Sequence, residues 1–139
     1  MQTITIRVTA NKFAELARQL PGAVNAICET SARAIAVDAM ASMGEPKTGR
    51  IYTTPEGKEH QASAPGESPA IDTGLLATIQ TEADGPNAWA TYTTAEYAAA
   101  LEFGSTTQGI LPRPFFTPAA ERERPHFLRA LGQLEDSLD

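Results

Sequence analysis

From Ala23 to Met43 the chain keeps a helical rhythm longer than anywhere else. Val24, Ile27, Cys28, Ile35, Ala39 and Met43 line one stripe, interrupted only by the small polar Ser31. Ala32 and Ala36 keep the neighbouring stripe small, so a sheet or another helix can come close. The same alanine surface could instead meet a second subunit. Glu29 and Arg33 stand at i and i+4 in the favourable order, which adds about 0.2–0.5 kcal/mol. Thr3–Thr9 alternates Ile4, Ile6 and Val8 with Thr5 and Arg7, the period of a half-buried strand. Asn11 offers an N-cap oxygen to a first short helix through Phe13, Leu16, Ala17 and Leu20, which Pro21-Gly22 closes or bends into the long one.

After the long helix the chain changes character. Gly44, Pro46, Gly49, Pro55, Gly57, Pro65, Gly66 and Pro69 punctuate the stretch up to Asp72. Arg50–Thr54 and Glu59–Ser63 flank Pro55-Glu56-Gly57-Lys58, which suits a hairpin loop. Ala64–Ala70 has two rigid prolines and nothing to bury, so an extended or disordered arm is expected within a mobile 44–72 segment. Asp72 reads as the cap of a short helix through Ile79, with Ile71 and Leu76 as a hydrophobic staple. Gln80–Ala83 and Ala88–Thr94 read as strands around Asp84-Gly85-Pro86.

The 139 residues suit one domain, and 42% hydrophobic with 20% charged residues is ordinary for a globular chain. A single cysteine allows no internal disulfide and points to a reducing compartment. No basic-then-apolar leader or run of eighteen apolar residues is present, so neither secretion nor membrane spanning is expected. The net charge of −6 sits in the second half: residues 71–139 hold four basic and ten acidic side chains. Between Ile71 and Pro112 there is no Lys or Arg, a poor grip for phosphates.

Chemistry-bearing groups are sparse. His60 and His126 lie in separate segments, and no HxxxH, CxxC or GxSxG spacing occurs. Glu59-His60 reads as a solvated pair, and Cys28 as a small buried hydrophobe. No catalytic residue, cofactor or metal site is expected.

The most patterned stretch is Glu96–Ala119. Tyr97, Ala100 and Leu101 make one apolar face of a short helix, and Gly104 follows Phe103 where a left-handed residue would close it. A polar bridge, Ser105–Gly109, leads to Leu111-Pro112-Arg113-Pro114-Phe115-Phe116. Arg113, on a backbone stiffened by both prolines, finds its natural partner in Glu102, a pair that would latch the bridge shut. On an extended segment Phe115 and Phe116 point to opposite sides, which leaves one as an anchor for a neighbour. Thr117 is placed to cap a last helix with Pro118 in its first position. Pro125 must kink that helix or restart it; Phe127, Leu128, Leu131, Leu134 and Leu138 give its apolar stripe.

Four blocks together resemble a known family: Thr48-Gly49-Arg50-Ile51-Tyr52, the run His60–Leu76 (HQASAPGESPAIDTGLL), Tyr97–Gly104 (YAAALEFG) and Pro112–Ala119 (PRPFFTPA). In order and spacing they are similar to the small neck, or tail-completion, proteins of long-tailed double-stranded DNA bacteriophages. The likeness covers the second third and part of the last third of the chain; Met1–Gly44 matches only in style. It implies a structural virion protein rather than an enzyme, made in the bacterial host cytoplasm. Such a protein would complete or terminate the tail and join it to the head connector. The partners implied are further copies of itself in a ring, a hexamer by tail symmetry with a monomer in solution open, the connector or stopper protein, and the tail tube or terminator. No specific nucleic acid and no membrane are among them.

The expected fold is α+β: a small, mainly antiparallel sheet of about four strands, the long helix on one face, and a C-terminal helix. Candidate contact residues are His60, Pro65, Gly66, Pro69, Tyr97, Glu102, Phe103, Gly104, Pro112, Arg113, Pro114, Phe115 and Phe116. A small cytoplasmic enzyme and a regulatory or antitoxin-like binding module are the competing classes.

Overall fold

The computed structural model describes residues 4–10, 13–70 and 78–138. Its elements run β1 (Ile4–Thr9), α1 (Ala14–Gln19), α2 (Pro21–Met43), β2 (Ile51–Thr53), β3 (Glu59–Gln61), β4 (Ile79–Ala83), β5 (Ala88–Thr93), α3 (Ala98–Phe103) and α4 (Phe116–Asp136). The architecture is α+β. Antiparallel β1-β5-β4 forms a three-stranded sheet, and β2-β3 forms a separate two-stranded ribbon. Among the described residues the sheet has three strands where about four were expected, the ribbon standing apart.

Alternation explains the sheet. Ile4, Ile6 and Val8 face the same side as Trp89, Thr91 and Thr93, their neighbours or partners in register. That side lies on α2, where Val24, Cys28, Ala32, Ile35, Ala39 and Met43 are buried. The small Ala32 lets the sheet approach until the Thr91 hydroxyl bonds its carbonyl. Trp89 donates its indole N–H to Asn25 at 3.2 Å, so its polar tip is satisfied. Cys28 is fully buried; its thiol donates to the Asn87 carbonyl at 3.4 Å, and burial pushes its pKa up. Fully burying a Val, Ile or Met side chain, as at Val24, Ile35 and Met43 of this stripe, contributes about 1.5–3 kcal/mol.

The last helix completes the core by placing Phe116, Ala119 and Leu131 against α2. It runs unbroken from Phe116 to Asp136 with Pro125 inside it, neither stopping nor restarting there. Of its expected stripe Leu131 is buried, Phe127 and Leu134 are partly covered, and Leu128 and Leu138 stay exposed. Ser31, which interrupts the α2 stripe, meets Glu123 of α4 at 3.0 Å. Strand β4 begins at Ile79, so Ile79 is not part of the expected helix, whose other positions up to 77 lie outside the described residues. The proposed caps Asn11 and Asp72 and the Ile71–Leu76 staple lie outside the described residues.

Candidate functional site

One end of the molecule gathers segments far apart in sequence. The ribbon leaves α2 through Gly49, whose amide donates to Ala62 O at 2.9 Å; a Cβ there would lie 2.5 Å from that oxygen. Only glycine fits so close an approach. Beyond the ribbon, Ala64-Pro65-Gly66-Glu67 forms a tight turn with Gly66 at φ 90° and Glu67 N–H on Ala64 O at 3.0 Å. Proline then glycine in the middle is what such a turn requires. The Glu67 carboxylate accepts from Ala64 N (2.7 Å), Thr48 N (3.0 Å) and Thr48 Oγ1 (2.8 Å). Those bonds, the Ala64 amide first, hold its pKa below the ordinary carboxylate value.

Lys47 fastens the same turn to the end of α2. Its Nζ donates to Ser68 Oγ at 2.6 Å and to Ser42 O at 2.9 Å. A cation at a helix C-terminus is favourably placed there. Desolvation lowers the Lys47 pKa despite the nearby Glu45 and Glu67. Pro69 and Ala70 are buried. The expectation that Ala64–Ala70 has nothing to bury is corrected: the segment buries these two residues and is fixed by polar ties.

The second half of the site is the α3–α4 connection. Gly104 closes α3 at φ 79°, and a Cβ would come within 3.0 Å of Ile110 O and Pro112 Cδ. Ser105 and Ile110 exchange backbone bonds across the polar bridge. Pro112 O then accepts from Gly66 N–H at 2.8 Å, joining this connection to the turn at 64–67.

Glu102 and Arg113 do not pair. Arg113 donates from Nε to Ser63 O at 3.2 Å and from a guanidinium nitrogen to Leu111 O at 3.1 Å. Glu102, only 3% exposed, turns instead to the start of α4 and accepts from the amides of Phe115 (3.1 Å), Phe116 (2.8 Å) and Thr117 (3.1 Å). The first N–H groups of a helix lack internal partners, and its N-terminus carries partial positive charge. A carboxylate therefore gains more there than from a guanidinium that already has two carbonyls. This replaces the expected cap: α4 begins at Phe116, so Thr117 is inside it and Pro118 is not its first residue.

The paired phenylalanines are likewise corrected. Both are buried, Phe115 at 1% and Phe116 at 0% exposure, with ring centroids 4.7 Å apart. The backbone is entering a helix rather than extended, so both rings turn into the core. On α3 the buried positions are Ala98 and Glu102, one helical step apart, while Tyr97 is 43% exposed. The face expected through Tyr97, Ala100 and Leu101 is rotated by about one residue to serve the capping carboxylate.

The candidate residues fall into two groups. Pro69, Glu102, Phe115 and Phe116 are buried and hold the junction together. Pro65, Gly66, Tyr97, Phe103 and Pro112 are exposed; His60, Gly104, Arg113 and Pro114 are partly covered. Phe103, Leu111, Ile51 and Tyr52 are large apolar side chains left 46–66% exposed. His60 packs edge-on against Tyr52 across the ribbon, centroids 4.9 Å apart. Sequence reading missed Ser63, Glu67, Ser68 and Lys47; the Pro-Gly dipeptide was a usable turn signal, whereas the Lys47 and Ser68 contact carries none.

No family model, curated protein or solved structure matches the chain. Among the described residues no three His, Cys, Asp or Glu side chains converge to hold a metal ion, and no helix is long and apolar enough to cross a membrane.

Proposed function

We propose that the protein is a structural subunit of a bacteriophage neck, acting in a ring that completes or terminates the tail and joins it to the head connector. The observation that carries this reading is convergence. All four blocks that resemble the tail-completion proteins contribute to the same junction: Gly49 at the ribbon root, Ser63 and Gly66 in the turn, Glu102 on α3, and Pro112 to Thr117 leading into α4. Around that junction stand the exposed Ile51, Tyr52, Phe103 and Leu111. A rigid root carrying apolar side chains in water suits a part that is clamped between neighbours, since burying them on contact gains about 25 cal/mol per Å².

The subunit works without turnover: its polar groups at the junction cap helices and turns, where they fix shape. Heterologous contacts close the ring, and connector and tube proteins are its other neighbours. The deciding experiment is to assemble particles without this gene product. Full-length tails that fail to join heads, rescued by the purified protein, are the expected result. Normal, infectious particles in its absence would refute the assignment.

A further inference from the structure

We propose that the β2–β3 ribbon of one copy docks along the open edge of β1 in the next, adding its strands to the three-stranded sheet. The inference rests on the ring reading and deepens it by naming the two surfaces that meet.

Strand β1 lies at the sheet edge, and among the described residues its outer side makes no backbone hydrogen bond. Such an edge is a ready template for another strand. Beneath it runs a groove of about 430 Å³ between β1 and α4, its apolar wall formed by Ile6, Val8, Phe13, Ala120, Phe127 and Leu128. A strand added to β1 would cover this groove and turn every second side chain into it.

The ribbon has the complementary form. Its ladder extends from the Arg50 and Ala62 pair to the Thr54 and Lys58 pair, close to the six-residue length of β1. Ile51 on one face is 58% and Tyr52 on the other 46% exposed, while His60 beside Tyr52 is partly covered, and an isolated two-stranded ribbon is marginal in water. Period two places Arg50 on the face of Tyr52, and His60 sits opposite Tyr52 in register. The Arg50 guanidinium forms no hydrogen bond or ion pair with another described residue; the Glu121 carboxylate on the groove rim forms neither and acts on the adjacent Arg122 only through its field. Laying the Arg50 and Tyr52 face into the groove puts the aromatic ring among apolar side chains and brings that cation to that carboxylate. Arg7 and Arg124 also line the groove, so net charge does not choose the occupant; the apolar seat for Tyr52 and the single Arg50–Glu121 pair select a second copy and the Tyr52 face as the one that enters. The two surfaces differ, so the contact is head-to-tail and can propagate to a closed ring.

Photocrosslinking tests the contact. Benzoylphenylalanine replaces Tyr52, and the variant is mixed at millimolar concentration with an isotopically labelled wild-type copy. Crosslinks from the ribbon to residues 120–128 of the labelled copy are expected. Crosslinks confined to the same chain, directed to the exposed Val37 face of α2, or absent altogether would overturn the proposal. Separately, Arg50→Glu should weaken self-association about five- to tenfold, as a reversed rim pair does, and adding Glu121→Arg in the same chain should restore it. No weakening, or no restoration, also counts against it. A crosslink found with pure protein while particles assemble normally without the gene product removes the neck assignment alone. Impaired assembly with no ribbon-to-groove crosslink removes the docking alone.

Discussion

Glu102 does at the residue scale what a serine or aspartate cap does in most helices, but from another element. The amides of Phe115, just before α4, and of Phe116 and Thr117 within it converge on one nearly buried carboxylate. Glu102→Gln keeps the size but replaces one acceptor oxygen with an NH₂ facing the same donors. It should lower stability by about 1–3 kcal/mol in urea unfolding; an unchanged midpoint would show the charge to be dispensable. Glu67 supplies a pH dependence of definite sign. Its folded pKa lies below the ordinary 4.5, so the stabilisation is full above that value and fades as pH falls through the lowered one. Protection factors of the Thr48 and Ala64 amides, taken against the intrinsic exchange rate at each pH, should therefore fall on acidification in the wild type, and Glu67→Gln should flatten that local response. Arg113 shows why pairing by charge misleads. Sequence identified the cation and the carboxylate, but not that helix-terminal amides outbid a guanidinium for Glu102.

Elements were legible where a period was long. The β1 alternation, the α2 stripe from Val24 to Met43 and the ribbon around Pro55–Lys58 follow from local pattern alone. The α3 face and the start of α4 did not, because both are set by a contact between two helices more than ten residues apart. Proline 125 presents the opposite problem: a strong local signal that tertiary packing overrides. Helix α4 passes through it with Ala119 and Leu131 buried against the core on either side. A proline removes one backbone bond and crowds the preceding turn, at a cost of about 3 kcal/mol in a helix interior. Pro125→Ala should stabilise the protein by about 1–3 kcal/mol by denaturant titration. A loss of stability would mean that Pro125 itself is needed to seat α4 on α2.

For the whole molecule, the core that holds the fold and the ribbon proposed to dock are separate parts. The core joins β1, β5 and β4 to α2 and α4, whereas the ribbon contributes none of its buried residues. The junction beneath the ribbon is closed by Gly49 N–H on Ala62 O and by Arg113 on Ser63 O, both below its strands. Replacing residues 51–61 with a short Gly-Ser turn should therefore change global stability by no more than about 1 kcal/mol, since shortening a surface loop alters closure entropy only slowly. Self-association, or incorporation into tails, should be lost in the same variant. Denaturant unfolding and sedimentation of one preparation measure the two halves of this expectation. If the truncated chain unfolds far more easily, the ribbon belongs to the fold; if it still assembles, the groove beside β1 is filled by something else.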